Sequence, residues 1–275
     1  ALNVQHGNET TITGNFSVIN TVPLKGRGDN PNNNALFVQG GSTFTFDKNT
    51  ESVFIAALGD TNSGSAAISA KNTTNSNKGN NTVTVQGKKV RIIGDLDILS
   101  TTLEGLGKWT NTINLTLSSA DSFWYGDVRK LWPWDSVNLT LSNGAEWIYF
   151  DNSSIDSVTL TNGGIVNLAD DEISQKLSSK ITDPNTGIEI DLPYYELGAT
   201  AKHYTVSIEN LKGSGGIFKM DLSHLGNSSN DYFKFYSNSD FIDVTGSSET
   251  GEHIVVFDGE AANISDLAIG DKIYK

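Results

Sequence analysis

One short segment recurs along this chain, and the recurrence narrows the fold more than any other feature. Ile113-Asn-Leu-Thr-Leu117 returns as Val137-Asn-Leu-Thr-Leu141. Leu141-Ser-Asn-Gly144 returns as Leu160-Thr-Asn-Gly163, and Asp135-Ser-Val137 as Asp156-Ser-Val158. Each unit alternates apolar and polar residues and closes on an Asn-Gly corner, at an irregular spacing of roughly 20 residues. An Asn-Gly corner can also close an antiparallel hairpin. Like segments repeated at one-coil spacing instead put like residues above like, and that needs parallel strands. The expectation is an all-β solenoid, a parallel β-helix. With ~20 residues per coil and strands ~4.8 Å apart, the body would hold about a dozen coils in a rod roughly 55–60 Å long.

Composition agrees with a thin, linear core. Hydrophobic residues make up 37% of the 275 residues, a low share for a compact globule. A solenoid tolerates this because each repeat buries its apolar face only against its neighbours. There are 27 glycines and 5 prolines, and Asn, Ser and Thr fill the polar positions. These residues favour corners and oppose helix interiors. The formal net charge of −13 argues against nucleic acid or an anionic membrane surface as partner, since both call for basic surfaces. Cysteine is absent, so no disulfide framework is available. No run of roughly 18 apolar residues suggests a transmembrane helix. The stretch from Ala1 lacks a charged segment followed by an apolar one, so a secretion signal would lie outside this chain.

Along the chain, strands are expected at Thr11–Val18, Ala35–Gln39, Thr43–Phe46 and Ser52–Ala57, then on either side of Gly87, and at Asp95–Leu99. Asn30–Asn34 and Thr73–Asn81 are polar loops. Residues 1–169 form the coiled body. Residues 170–203 break the pattern as an irregular excursion: Asp170–Leu177 suits a short helical turn, and Asp183-Pro-Asn-Thr-Gly187 is a turn. Strands return in 204–275, at Tyr204–Glu209, Gly216–Leu222, Tyr232–Tyr236, Ile242–Thr245 and His253–Phe257.

In that last region Leu211-Lys-Gly-Ser-Gly-Gly-Ile-Phe-Lys-Met-Asp-Leu222 is followed by Asn230-Asp-Tyr-Phe-Lys-Phe235 and Gly251-Glu-His-Ile-Val-Val-Phe257. The three parts in this order resemble the C-terminal passenger module of type V autotransporters of the pertactin-like and AIDA type. Phe123-Trp-Tyr125, Trp132-Pro-Trp134 and Ser136–Gly144 are similar to the last coils of such passengers. The resemblance covers roughly residues 109–258, and residues 1–108 share only its style. It implies a right-handed single-stranded parallel β-helix with a C-terminal β-hairpin-like capping module, a bacterial cell-surface or secreted location, and an outer-membrane barrel beyond Lys275 as the membrane attachment. It also implies that Leu211, Gly213, Ser214, Gly215, Phe218, Met220, Asp221 and Leu222 belong to a folding module that templates the coils. Leu211, Phe218, Met220, Leu222, Phe233, Phe235, Val255 and Phe257 alternate along strands and are expected to bury one shared face.

Few residue groups suggest chemistry. Arg27-Gly28-Asp29 lies in a Gly- and Asn-rich stretch and is either a plain turn or an integrin-type recognition loop. The aromatic group from Trp109 to Phe150 is either core or a sugar-stacking surface. Trp132 and Trp134 flank Pro133 and are the pair expected on the exterior. Gly59–Ser65 only superficially resembles a serine-protease motif, and His6, His203, His224 and His253 show no partner arrangement for a nucleophile. Asp170-Asp171-Glu172 is either a solvated acidic face or a calcium or lyase cluster. No catalytic residue, metal ligand or cofactor is assigned. The functional expectation is a surface adhesin or host- or biofilm-interaction protein that binds a host cell-surface or matrix protein or a glycan. The alternatives are a glycan-active or other secreted enzyme on the same scaffold, or a released effector that binds a host receptor.

Overall fold

The computed structural model describes residues 2–20, 34–57, 66–72, 79–100, 109–148, 153–169, 180–191, 204–221, 240–249 and 251–258. These residues contain strands and corners and no helix. Three parallel sheets hold nearly all the strands. The first contains β1 (Leu2–Val4), β4 (Asn34–Gln39), β7 (Ala66–Asn72), β10 (Leu96–Ser100) and β13 (Val128–Lys130). The second contains β2 (Glu9–Ile12), β5 (Thr43–Phe46), β8 (Asn81–Val85), β11 (Asn111–Leu117), β14 (Ser136–Ser142), β16 (Ser153–Thr161), β20 (Thr205–Ser214) and β22 (Phe241–Ser248). The third contains β3 (Phe16–Asn20), β6 (Ser52–Ala57), β9 (Lys89–Ile93), β12 (Phe123–Tyr125), β15 (Glu146–Ile148), β17 (Ile165–Asn167), β21 (Ile217–Asp221) and β23 (Ile254–Asp258). Up to β15 the chain visits the three sheets in fixed rotation. From β16 onward the parallel strands alternate between the second and third.

The sequence repeat is the register of the second sheet. Ile113, Leu115 and Leu117 sit beside Val137, Leu139 and Leu141, and the last two sit beside Val158 and Leu160. Every second residue of these strands is buried. Each such side chain removes apolar surface from water, about 1.5–3 kcal/mol apiece. Together they form one core that runs from Val4 to Phe218. The Asn-Gly corners do not close hairpins. Asn143 (φ 55°) and Asn162 (φ 49°) adopt left-handed backbone and turn the chain from the second sheet into the third.

The coil length departs from expectation. Among the described residues two sheets are eight strands deep, about 34 Å from first to last strand, where a dozen coils were expected. The short spacing holds only in the middle, where Asn138 bonds to Asn114 24 residues earlier. Nearer the N-terminus, stacked partners are 30 residues apart at Asn81 and Asn111 and 34 apart at Gln5 and Gln39. Thr11–Val18 is likewise two strands, β2 and β3, in different sheets.

Two further expectations need correction. The described C-terminal strands pair in parallel and not as a hairpin, while Tyr232–Tyr236 lies outside the described residues. β20 pairs in parallel with β16 and β22, and β21 in parallel with β17 and β23. The reason is the corner at Gly213–Gly216, which carries the chain into the third sheet instead of returning it beside β20. The excursion is not wholly irregular either: Lys180–Thr182 (β18) and Glu189–Asp191 (β19) form an antiparallel hairpin. Residues 170–179, including Asp170, Asp171 and Glu172, lie outside the described residues.

Candidate functional site

The corner between β13 and β14 carries the most conspicuous exterior chemistry. Trp132 and Trp134 stack with ring centroids 4.8 Å apart and planes 11° from parallel. Both are half-buried, Pro133 between them is exposed, and Leu131 beside them is 65% exposed. The corner is fixed from below. Asp135 is buried, donates its backbone N–H to the Trp132 carbonyl, and accepts a 2.8 Å bond from the Asn111 N–H. On the β13 side Lys130 is paired with Asp156, and Arg129 lies 3.4 Å from Asp95. A rigid indole pair of this kind offers a flat apolar face with little entropy left to lose on binding, the property that enriches Trp at interface hot spots.

Of the other three tryptophans, Trp109 is half-buried and two are structural. Trp124 and Trp147 are fully buried and stacked 4.9 Å apart at 1°. Their indole N–H groups donate to the carbonyls of Gly94 (3.1 Å) and Gly126 (3.0 Å). Tyr149 and Phe150 lie outside the described residues, as does the Arg27-Gly28-Asp29 stretch.

The C-terminal motif is distributed over two rungs. Leu211 and Phe218 are buried, Met220 is half-buried, Ser214 is exposed, and Leu222 lies outside the described residues. Gly213 (φ 89°) packs so closely on the rung below that a Cβ there would stand 2.3 Å from the Leu160 carbonyl oxygen. Gly215 (φ 77°) donates to the Glu252 carbonyl. Phe218 and Val255 are register partners on one face, but Val255 is 43% exposed because no described strand follows β23 in its sheet. His253 packs edge-on against Phe218 at 5.7 Å, and its Nδ1 accepts the Gly216 N–H at 3.1 Å. Burial holds its imidazole below the ordinary histidine range.

Buried aspartates that the sequence did not single out tie rung to rung. Asp156 Oδ2 accepts the Val137 N–H at 2.7 Å. Asp240 accepts from the N–H groups of Tyr204 (2.9 Å) and Asp221 (2.6 Å). Charged acceptors on backbone N–H groups are among the stronger hydrogen bonds. The repeated Asp-Ser-Val marks a shared role at different places: Asp135 and Asp156 each accept a backbone N–H from the preceding rung, but Asp135 precedes β14 while Asp156 lies inside β16. Asparagines do the same in the N-terminal half, where fully buried Asn72, Asn81 and Asn111 bond to one another. Among the described residues no group of three or more His, Asp or Glu is placed to share a metal ion.

No family model, curated protein or solved structure matches this chain.

Proposed function

We propose that the chain is part of the passenger of a bacterial type V autotransporter. In this reading it is a right-handed single-stranded parallel β-helix that presents a binding surface outside the cell. The observation that carries the proposal is the parallel stack: apart from the hairpin β18–β19, every described strand from β1 to β23 pairs in parallel with a strand one rung away, in three-sheet rotation as far as β15. Such a stack extends a stiff rod from repeated units of modest apolar content, which suits display of a contact surface at a distance. The resemblance of Leu211–Leu222 and Gly251–Phe257 to passenger C-termini supports the family. The role assigned to 204–275 is to start the stack, with β20 as the template strand, because its eight register partners on β16 make one of the longest pairings of the sheet.

The activity proposed is adhesion, to a host cell-surface or matrix protein or a glycan, and not catalysis. The stacked Trp132–Trp134 pair supports this, with Arg27-Gly28-Asp29 as a second contact for a protein ligand. The test is binding of the purified chain to cultured cells, immobilised matrix proteins and a glycan array, for the wild type and for the Trp132→Ala/Trp134→Ala double variant. Loss of a buried aromatic anchor at an interface costs about 2 kcal/mol, or roughly thirtyfold in affinity. A loss of that size with an unchanged melting temperature supports the reading. Binding that the double variant leaves intact removes the tryptophan pair from it, and no binding to any of the three ligand sets removes adhesion.

A further inference from the structure

The hairpin β18–β19 lies against the opposite end of the molecule from the strands that flank it in sequence. It follows β17, yet its turn reaches β3, the outermost strand of the third sheet, five strand spacings or about 24 Å from β17. The contact is specific. Ser17 Oγ donates to Asp183 Oδ1 at 2.8 Å, and Asn185 Nδ2 donates to the Phe16 carbonyl at 2.9 Å and lies 2.8 Å from Ser17 Oγ. Asp183 is fully buried and also accepts from the Asn185 N–H (2.9 Å) and Thr186 Oγ1 (2.6 Å). A buried carboxylate needs such partners, and here one of them belongs to a strand 166 residues earlier.

The apolar side of the hairpin covers a matching strip. On the outer face of the third sheet, Ile19, Ala56, Ile93, Tyr125 and Ile148 form one register column. The next two positions of that column are Asn167 and Lys219. The column is continuously apolar from Ile148 to Ile19 on the strand the hairpin reaches and returns to an apolar residue only at the exposed Val256 beyond Lys219; Ile190, 6% exposed, and Ile181 pack into the continuous stretch. A hairpin of two three-residue strands has little stability of its own, so docking and ordering occur together.

We propose that Lys180–Asp191 is a displaceable clasp: docked, it holds the N-terminal edge of the third sheet and conceals an apolar strip; lifted, it releases both at once. Among the described residues the edge strand β3 has β6 as its one strand partner in the sheet, and the clasp adds a second support. The N-terminal end of the rod therefore closes only after a segment from the far half of the chain has been made.

The test is amide exchange by mass spectrometry on the full chain, with a hydrophobic dye as second readout. Two variants act on the contact from opposite sides. Ser17→Ala removes the receiving hydroxyl without touching the hairpin, and Ile190→Asp places a charge against the strip. The clasp predicts that exchange of 16–20 and 52–57 accelerates about tenfold or more in Ile190→Asp and less in Ser17→Ala, while 136–142 and 157–161 are unchanged. Dye fluorescence rises in Ile190→Asp. In the cysteine-free chain, oxidation of the Ser17→Cys/Asn185→Cys double variant should cross-link the clasp and slow exchange of 16–20 below wild type. Exchange that rises equally along the whole rod, or that leaves 16–20 unchanged while 180–191 is released, overturns the proposal.

Discussion

Trp147 and Val255 occupy the same inward column of the third sheet, three rungs apart, through Val166 and Phe218. Trp147 has no exposed surface, whereas Val255 is 43% exposed. Both side chains point to the same core, so orientation does not separate them. What differs is the neighbour on the far side: Trp147 lies between Trp124 and Val166, while Val255 has Phe218 on one side and no described strand on the other. In this architecture a residue is buried by the rungs around it, and the stability of each rung is a neighbour's property as much as its own.

The largest effect expected is from removing neighbours wholesale. A chain ending at residue 203 loses β20 and leaves the nine-residue strand β16 with an open edge. Refolding yield should fall severalfold with aggregation, as unpaired strand edges promote; a truncated body that refolds and resists protease like the whole chain would remove the templating role proposed for 204–275. Next, Trp147→Ala deletes an indole stacked in mid-rod and should cost about 3–5 kcal/mol in chemical denaturation. Val255→Ala in the same column should cost below about 1 kcal/mol, because its surface is already partly solvated. Equal costs at the two sites would break the comparison. Gly213→Ala falls between them, at about 2–3 kcal/mol, since its Cβ meets the Leu160 carbonyl in left-handed backbone.

The smallest effect is one of pH. Burial lowers the pKa of His253, so the unfolded chain binds more protons here than the folded one. The contribution of this group is fully present above its ordinary pKa and declines as pH falls below that value toward the lowered one. The protection of 254–258, taken relative to the intrinsic exchange rate at each pH, should therefore fall on acidification through that window, and the fall should vanish in His253→Ala.

The legible part of the fold was the part with short corners. Between β11 and β17, 24-residue spacing at Asn114 and Asn138 let like residues fall visibly above like. In the N-terminal half the same stacking uses partners 30 to 39 residues apart, as at Asn111, Asn81 and Ser42. Insertions there hid a periodicity that the core still obeys. The cap was misjudged because a Gly-Ser-Gly corner looks alike whether it returns the chain antiparallel or turns it into a third sheet; only the contact of Gly213 with Leu160 decides. The hairpin at 180–191 was readable as a turn at Asp183–Gly187, but its docking was not. Its partners, Ser17 and Ile148, are distant in sequence and ordinary in type. That Trp132 and Trp134 lie in a corner was legible from Pro133, though both are half-buried, while the aspartate ties were legible only as a repeat.

Hydrogen exchange followed strand by strand under native conditions tests the neighbour principle most directly. The account predicts the slowest exchange in 111–117 and 136–142, with rungs on both sides, and faster exchange in 241–248 and 254–258, each with one described rung beside it. Exchange in 254–258 as slow as in 136–142 would contradict it.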